Sequence, residues 1–285
     1  MRLGVHTSIE GKIYKSVDKA KGLGCQTMQI FSRNPRGWTA KSLDSAEVIE
    51  FRKRRAKAGI YPLFVHIPYI INLASPKDAL WKMSIKAYID DVRRSDSIGA
   101  EYFVTHLGSH MGRGEEYGIK RFSEGLNRAI DAARPRLAVL FENTAGAGNT
   151  LGYNFRQIRQ IISNVEAKEK IGICLDTCHA FAAGYNIRDK KGLSDMLSEI
   201  SSFIGIKRLK LIHINDSKAG LGARIDRHEH IGRGRIGLEG FRRIVNHSDL
   251  RDLSFILETP KMGRTDDIRN LRTIRKLVKT KGLLS

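Results

Sequence analysis

The chain has 285 residues, enough for one large α/β domain or two smaller ones, and its 41% hydrophobic content can build a substantial core. No apolar run approaches the roughly 20 residues that cross a bilayer, no basic amphipathic anchor stands out, and 3 cysteines are too few for a disulfide scaffold. The 50 Lys and Arg against 30 Asp and Glu leave a formal charge of +20, which favours a polyanionic partner, nucleic acid above all, through phosphate contacts and counterion release.

The first apolar run, LGVHTS (3–8), ends in polar, chemically capable residues. The surrounding MRLGVHTSIEGK has no unbroken apolar stretch of the export-signal kind, so a cytoplasmic protein without a membrane partner is expected. MQIFSRN (28–34) is a second strand. SAEVIEFRKRRAKAG (45–59) follows as a helix, with Val48, Phe51 and Ala56 at helical intervals. LFVHIPY (63–69) precedes the amphipathic stretch 77–99, where Leu80, Met83, Ala87 and Val92 are expected to face inward. YFVTHLGSH (102–110) and a helix over 115–134 come next, then LAVLFENTAG (137–146) and a helix over 154–165. IGICLDTCH (171–179) leads to a helix over 193–205, LKLIHIND (209–216) to one over 238–247, and LSFILETP (253–260) to the last. That last helix, 265–278, opens on Thr265 as N-cap, with acidic residues in its first turn. Eight strands alternating with helices match a single (β/α)8 TIM barrel over residues 1–285. An open doubly wound sheet would show a glycine-rich phosphate turn after its first strand, and HTSIEGK is not one.

A barrel gathers reactive side chains at the C-terminal ends of its strands. The third strand ends in His66, the fourth in His106 and the fifth in Glu142. The sixth ends in Asp176, with His179 three residues on, the seventh in His213 and the eighth in Glu258. Asp226 and His228 sit in the loop after the seventh. Any one of these could be a hydrogen-bonded core histidine, a helix cap or half of a surface ion pair. Six strands in succession delivering a metal-capable group to one rim is not something packing requires, because buried imidazoles and carboxylates are costly unless paired or metal-bound. Neutral imidazole with carboxylate suits zinc and other divalent ions, and nine such groups with one carboxylate shared would serve about three of them. Several carboxylate-bridged ions point to metal-assisted hydrolysis, with a phosphoryl group as a natural target. Cys174 and Cys178 lie among these residues, but their spacing completes no thiolate site; Cys174 reads as core filling one layer below Asp176.

The stretches FSRNPRGW, VHIPYIINLAS, HLGSH, FENTAGAG, CLDTCHAFAAGY, HINDSKAGLGARIDRHEHIG and LETP carry a resemblance to the endonuclease IV (deoxyribonuclease IV) family of apurinic/apyrimidinic endonucleases, within the xylose isomerase-like barrels. It runs from about Arg2 to Leu277. The resemblance implies a trinuclear zinc cluster, with manganese or iron able to substitute, at the C-terminal face of the strands. His66, His106 and Glu142 would hold one ion. Glu142 would bridge to a second, bound also by Asp176, His213 and Glu258, and His179, Asp226 and His228 would hold the third. Glu142 and Glu258 would be the catalytic carboxylates. The implied reaction is DNA base-excision repair: hydrolysis of the phosphodiester 5′ to an abasic site, leaving a 3′-hydroxyl and a 5′-deoxyribose phosphate, and trimming of blocked 3′ ends. The implied partner is double-stranded DNA carrying such lesions, met by a monomer. Arg36 and Tyr69 match side chains that enter the gap left by the flipped nucleotide. Leu107 stands where relatives usually carry proline, Ala147 where glutamine is common and Arg233 where an acidic residue is usual. A sugar isomerase or epimerase of the same barrel group would use Glu142, Asp176, His213 and Glu258 alone, and the other five groups argue against it.

Overall fold

Apolar runs of four to six residues form the eight barrel strands in the computed structural model, which describes residues 1–279; residues 280–285 lie outside that description. They are β1 (Arg2–Val5), β2 (Met28–Phe31), β3 (Leu63–His66), β4 (Tyr102–Thr105), β5 (Ala138–Glu142), β6 (Ile171–Asp176), β7 (Leu209–His213) and, last, β10 (Ser254–Leu257). All pair in parallel, in the order β1-β10-β7-β6-β5-β4-β3-β2. The ring closes between β1 and β2, where His6 bridges Gln29 and Thr7 N donates to Gln29 O at 2.8 Å. A small antiparallel ribbon, β8 (Asp216–Ser217) with β9 (His228–Glu229), stands above the strand ends. The expected (β/α)8 barrel is present.

Helices cover the outside: α1 (Lys15–Gly22), α2 (Ser45–Ala58), α3 (Asp78–Ser97), α4 (Glu115–Ala133), α5 (Phe155–Asn164), α7 (Lys190–Phe203), α8 (Gly237–Asn246) and α9 (Asp266–Leu277), while the short α6 (Thr177–Ala183) sits at the end of β6 beside β8. Two of them carry no sequence signal. α1 buries only Ser16, Val17 and Ala20, a stripe too thin to register, and in α6 every residue but the last is buried, so no polar face sets off a period. On α3 the buried face runs through Trp81, Ser84, Tyr88, Asp91 and Ser95 as well as Ala87 and Val92; Met83 is exposed and Leu80 half-buried. Hidden polar residues shifted the apparent stripe. On α2 Phe51 is buried, Val48 half-buried and Ala56 exposed. Thr265 makes no side-chain cap on α9; Asp266 instead accepts from Met262 N and Gly263 N at 2.9 and 2.7 Å.

The barrel interior sets up the site. Phe64, Val104, Leu140, Cys174, Leu211 and Ile256, one from each of six strands, fill it as one apolar layer. Successive side chains of a strand alternate faces, so the residues two positions on point inward again, one layer higher. They are His66, His106, Glu142, Asp176, His213 and Glu258. On β7 this depends on a bulge: Ile173 pairs with Leu209 but Cys174 pairs with Leu211, leaving Lys210 extra and exposed. Leu209 packs with the outer helices, and beyond the bulge Leu211 and His213 face in, with His213 opposite Asp176.

Candidate metal centre at the strand ends

Glu142 is the middle of the cluster and is fully buried. One carboxylate oxygen lies 3.0 Å from His66 Nε2 and 3.7 Å from His106 Nε2; the other lies 3.0 Å from His213 Nδ1. His213 Nδ1 is also 3.3 Å from Glu258 and 3.9 Å from Asp176. His179 Nε2 sits 3.2 Å from Asp226, and His228 Nε2 3.4 Å from Asp226 and 3.6 Å from Asp176. Three groups of donor atoms fall within 4.8 Å of one another: His66, His106 and Glu142; Glu142, Asp176, His213 and Glu258; and His179, Asp226 and His228. The first two share Glu142. All nine sequence-derived candidates thus converge on one rim.

A neutral imidazole has one N–H and one lone pair, and the partner of the first decides where the second points. His66 Nδ1 donates to Ile67 O at 2.7 Å, His179 Nδ1 to Asn143 O at 2.9 Å and His228 Nδ1 to Glu258 O at 3.1 Å. Each leaves Nε2 facing the carboxylates. His228 Nε2 is buried without a hydrogen-bond partner, which a neutral core residue would not tolerate cheaply. An ion among these atoms would supply the missing partner, so the donor set fits divalent cations of the zinc type. A fourth grouping brings in Cys178 beside Asp176 and His228, but burial pushes its thiol up and keeps it protonated, a poor ligand. Cys174 is likewise raised by burial, to about 12, in the apolar layer below.

Backbone anchors hold the carboxylates. Asp176 caps α6, accepting from His179 N at 2.8 Å, which fixes the spacing of two candidates on one turn. Asn215 donates to Asp176 at 2.7 Å and accepts from Glu258 N at 2.8 Å. Buried Asp216 accepts from the amides of Gly232, Gly234 and Ile236 at 2.9 to 3.0 Å, tying the loop beyond β9 to the ribbon that carries His228. A side chain at Gly234 would strike Ser217 O at 2.4 Å, so only glycine fits that clamp. Electrostatics follow the packing. Burial alone would raise Glu142 and Glu258, yet the imidazoles around them hold both carboxyls well below the usual range. Burial would lower His179, but Asp176 and Asp226 carry it up to about 10; burial leaves His106 at about 4.

A cavity of ≈ 540 Å³ opens above the cluster, lined by His66, His106, Glu142, His179, Asp226, His228 and Glu258. Tyr69 lines it too, exposed and 5.3 Å from the Phe31 ring. Arg36 is exposed on the neighbouring loop but does not line the cavity; Pro35 does. Wall residues that the sequence reading passed over include His6, Thr7, Ser8 and Lys261. His6 directly follows the first strand, as His106 follows the fourth, and that position was its only signal. Leu107 is buried and packs against Gly152, Ala147 is half-buried and Arg233 is exposed; none is among the donor groups.

Residues 17–279 match the family model described as xylose isomerase-like TIM barrel. The chain is 45% identical over 277 residues to a "Probable endonuclease 4" of Halothermothrix orenii, covering 97% of this chain and 100% of that one. It is similar to the crystal structure of endonuclease IV from Thermus thermophilus with a TM-score of 0.87 and 37% identity, over 97% of this chain and 98% of that one. A D-tagatose 3-epimerase-like protein shares the fold alone, with a TM-score of 0.71 and 17% identity over 97% of each chain.

Proposed function

The chain belongs to the endonuclease IV family of the xylose isomerase-like TIM barrels, and from that membership we propose a DNA base-excision-repair enzyme, an apurinic/apyrimidinic endonuclease. It hydrolyses the phosphodiester 5′ to an abasic site, giving a 3′-hydroxyl and a 5′-deoxyribose phosphate, and it removes 3′ blocking groups. It works on double-stranded DNA as a cytoplasmic monomer with three zinc ions, which manganese or iron can replace. Among the described residues no helix is long and apolar enough to cross a membrane. The observation that carries the reading is the convergence of three donor groups, two of them sharing Glu142, with the rear nitrogens of three imidazoles tied to backbone carbonyls. An epimerase needs only the group around Asp176 and leaves the other two without a purpose.

When bound, such ions supply Lewis acidity for the phosphoryl oxygens and a water acidic enough to attack near neutral pH. The protein's own side chains do the rest. His66, His106 and Glu142 form one ligand set, Glu142, Asp176, His213 and Glu258 the second, and His179, Asp226 and His228 the third. Glu258 is the more open of the two catalytic carboxylates and lines the cavity, where it orients the attacking water. Asp226, half exposed, and His228 would hold, with His179, the ion that would stabilise charge on the departing 3′ oxygen. Tyr69 and Arg36 enter the duplex beside the extruded nucleotide and stack in the space of the missing base. The +20 charge draws the duplex onto the rim.

The test is incision of a duplex oligonucleotide bearing one synthetic abasic site, with the unmodified duplex alongside. Cleavage on the 5′ side with a 3′-hydroxyl product is expected. An intact lesion strand after treatment with protein carrying about three ions would end this reading, and turnover of a free sugar by protein with one ion would replace it.

A further inference from the structure

The upper layer of inward side chains has eight positions, one per strand. Six carry the proposed ligands. The other two, on β1 and β2, are His6 and Phe31, the latter paired with His66; Gln29 lies one inward step lower on β2, paired with Phe64 and bridged to His6. Leu3, Val5, Met28 and Ile30 pack outward with the helices, so the alternation turns Gly4, His6, Thr27 and Gln29 inward. A side chain at Gly4 would strike Thr27 O at 2.0 Å, so the layer below is backbone in contact with backbone at this point. The two strands thus come together directly under His6 and Gln29.

Gln29 is fully buried, and a buried amide must satisfy both its ends. Its Nε2 lies 2.6 Å from Glu258 Oε1, and its Oε1 lies 2.8 Å from His213 Nε2. An ionised carboxylate only accepts, so the amide nitrogen faces Glu258 and the oxygen is left for His213. His213 Nε2 must then carry the proton, and the lone pair falls on Nδ1, the nitrogen that faces Glu142 at 3.0 Å, Glu258 at 3.3 Å and Asp176 at 3.9 Å. His66, His179 and His228 take the same instruction from backbone carbonyls. His213 takes it from a side chain on another strand, and that side chain also holds Glu258. His6 Nδ1 adds a second contact to the same Glu258 oxygen at 3.0 Å.

We infer that Gln29 is a positioning residue: one buried amide sets the ligating nitrogen of His213 and the orientation of Glu258 together, so that both meet the second ion correctly. The inference rests on the reading of the strand ends as a metal centre. It assigns no contact with DNA to Gln29.

The experiment uses the full chain loaded with zinc and two variants. Gln29→Met keeps the length and bulk of the side chain and removes both hydrogen bonds. Gln29→Glu keeps an acceptor opposite His213 Nε2 and removes the donor to Glu258. Ion affinity is read by competition with a chelator, the ligating nitrogen of His213 by long-range proton–nitrogen correlation, and kcat and KM on the abasic duplex. For Gln29→Met, affinity for one ion should fall by about 10- to 100-fold, with kcat falling alongside and KM within about twofold of the parent. For Gln29→Glu, His213 should still bind through Nδ1. A folded Gln29→Met with parental ion affinity and a parental His213 signal would overturn the inference, as would a switch of His213 to Nε2 in Gln29→Glu. If the parent holds its ions but leaves abasic DNA intact, the functional reading fails, and the affinity comparison still decides the role of Gln29.

Discussion

The cluster at the strand ends and the loop 32–44 after β2 are held in opposite ways. In the cluster the proposed metal ligands are themselves fixed, most of them buried and tied from behind by backbone or by neighbours such as Asn215. In the loop it is the backbone that is fixed, up to Gly37, whose carbonyl accepts from Arg33 Nη1. Buried Arg33 makes a bidentate pair with Asp91 of α3, at 2.8 Å from Nε to Oδ1 and 2.8 Å from Nη2 to Oδ2, and Arg94 of the same helix donates to Ser32 O at 2.8 Å and Lys41 O at 2.7 Å. The tip between these anchors carries Arg36, whose amide donates to Asn34 Oδ1 at 3.1 Å. Bond-breaking requires donor atoms held to a fraction of an ångström. A side chain proposed to enter a bent duplex needs a firm root and a free end.

The largest effect expected from this contrast is in the cluster. Glu258→Gln keeps the shape of the layer but removes the charge that faces His213 and the cavity. Incision should fall by about 10²–10⁴-fold while the dissociation constant for abasic duplex changes little; turnover near that of the parent would remove Glu258 from catalysis. The loop responds differently. Asp91→Ala leaves Arg33 buried without its partner, a loss of about 3–5 kcal/mol. Thermal unfolding should report that loss, and zinc content should be unchanged. Loss of metal in this variant would mean that loop and cluster are one unit and not two.

The same contrast explains what could be read from the chain alone. The cluster was legible because it follows strand alternation: an apolar inward residue, then two positions on a metal-capable one, six times. Asp226 and His228 lie in a loop and follow no period; they came through the motif, and the ribbon that lifts His228 to the rim was not foreseen. His6 and Gln29 obey the same alternation, but neither was singled out, because a histidine directly after a first strand and a glutamine inside a strand look ordinary when no partner is in view. The anchoring of the loop was invisible, since Arg33 and Asp91 are 58 residues apart and a buried aspartate on a helix reads as surface. That misreading also put Met83 inward when it is exposed.

A third test separates protons from ions within the cluster. In protein stripped by a chelator, burial pushes His179 down, but Asp176 and Asp226 raise it to about 10 from an ordinary 6.5. A folded pKa above the unfolded one means a contribution that is complete below 6.5 and lost as pH rises through about 10. The melting temperature of stripped protein should therefore fall over that range, on the order of 5 °C. Loaded protein should show no such fall, because the ion stands where the proton stood. Parallel curves for the two forms would show that His179 is not part of an ion site.

The smallest effects belong to the free ends. Tyr69 rests on Phe31 at 5.3 Å and is otherwise open to the cavity. Tyr69→Ala should leave ion content and stability unchanged and weaken the preference for abasic over intact duplex by about 1–2 kcal/mol, the scale of one base-stacking contact. Arg36→Lys is milder and more diagnostic. Lysine keeps the charge and loses the flat guanidinium. If Arg36 only neutralises phosphate, the lysine variant should match the parent in both preference and salt dependence. If it stacks in the gap, preference should drop by a few-fold, about 1 kcal/mol, while the salt dependence stays the same because the charge has not changed. The second pattern is the one expected of a side chain rooted through Arg33 and left free at its tip.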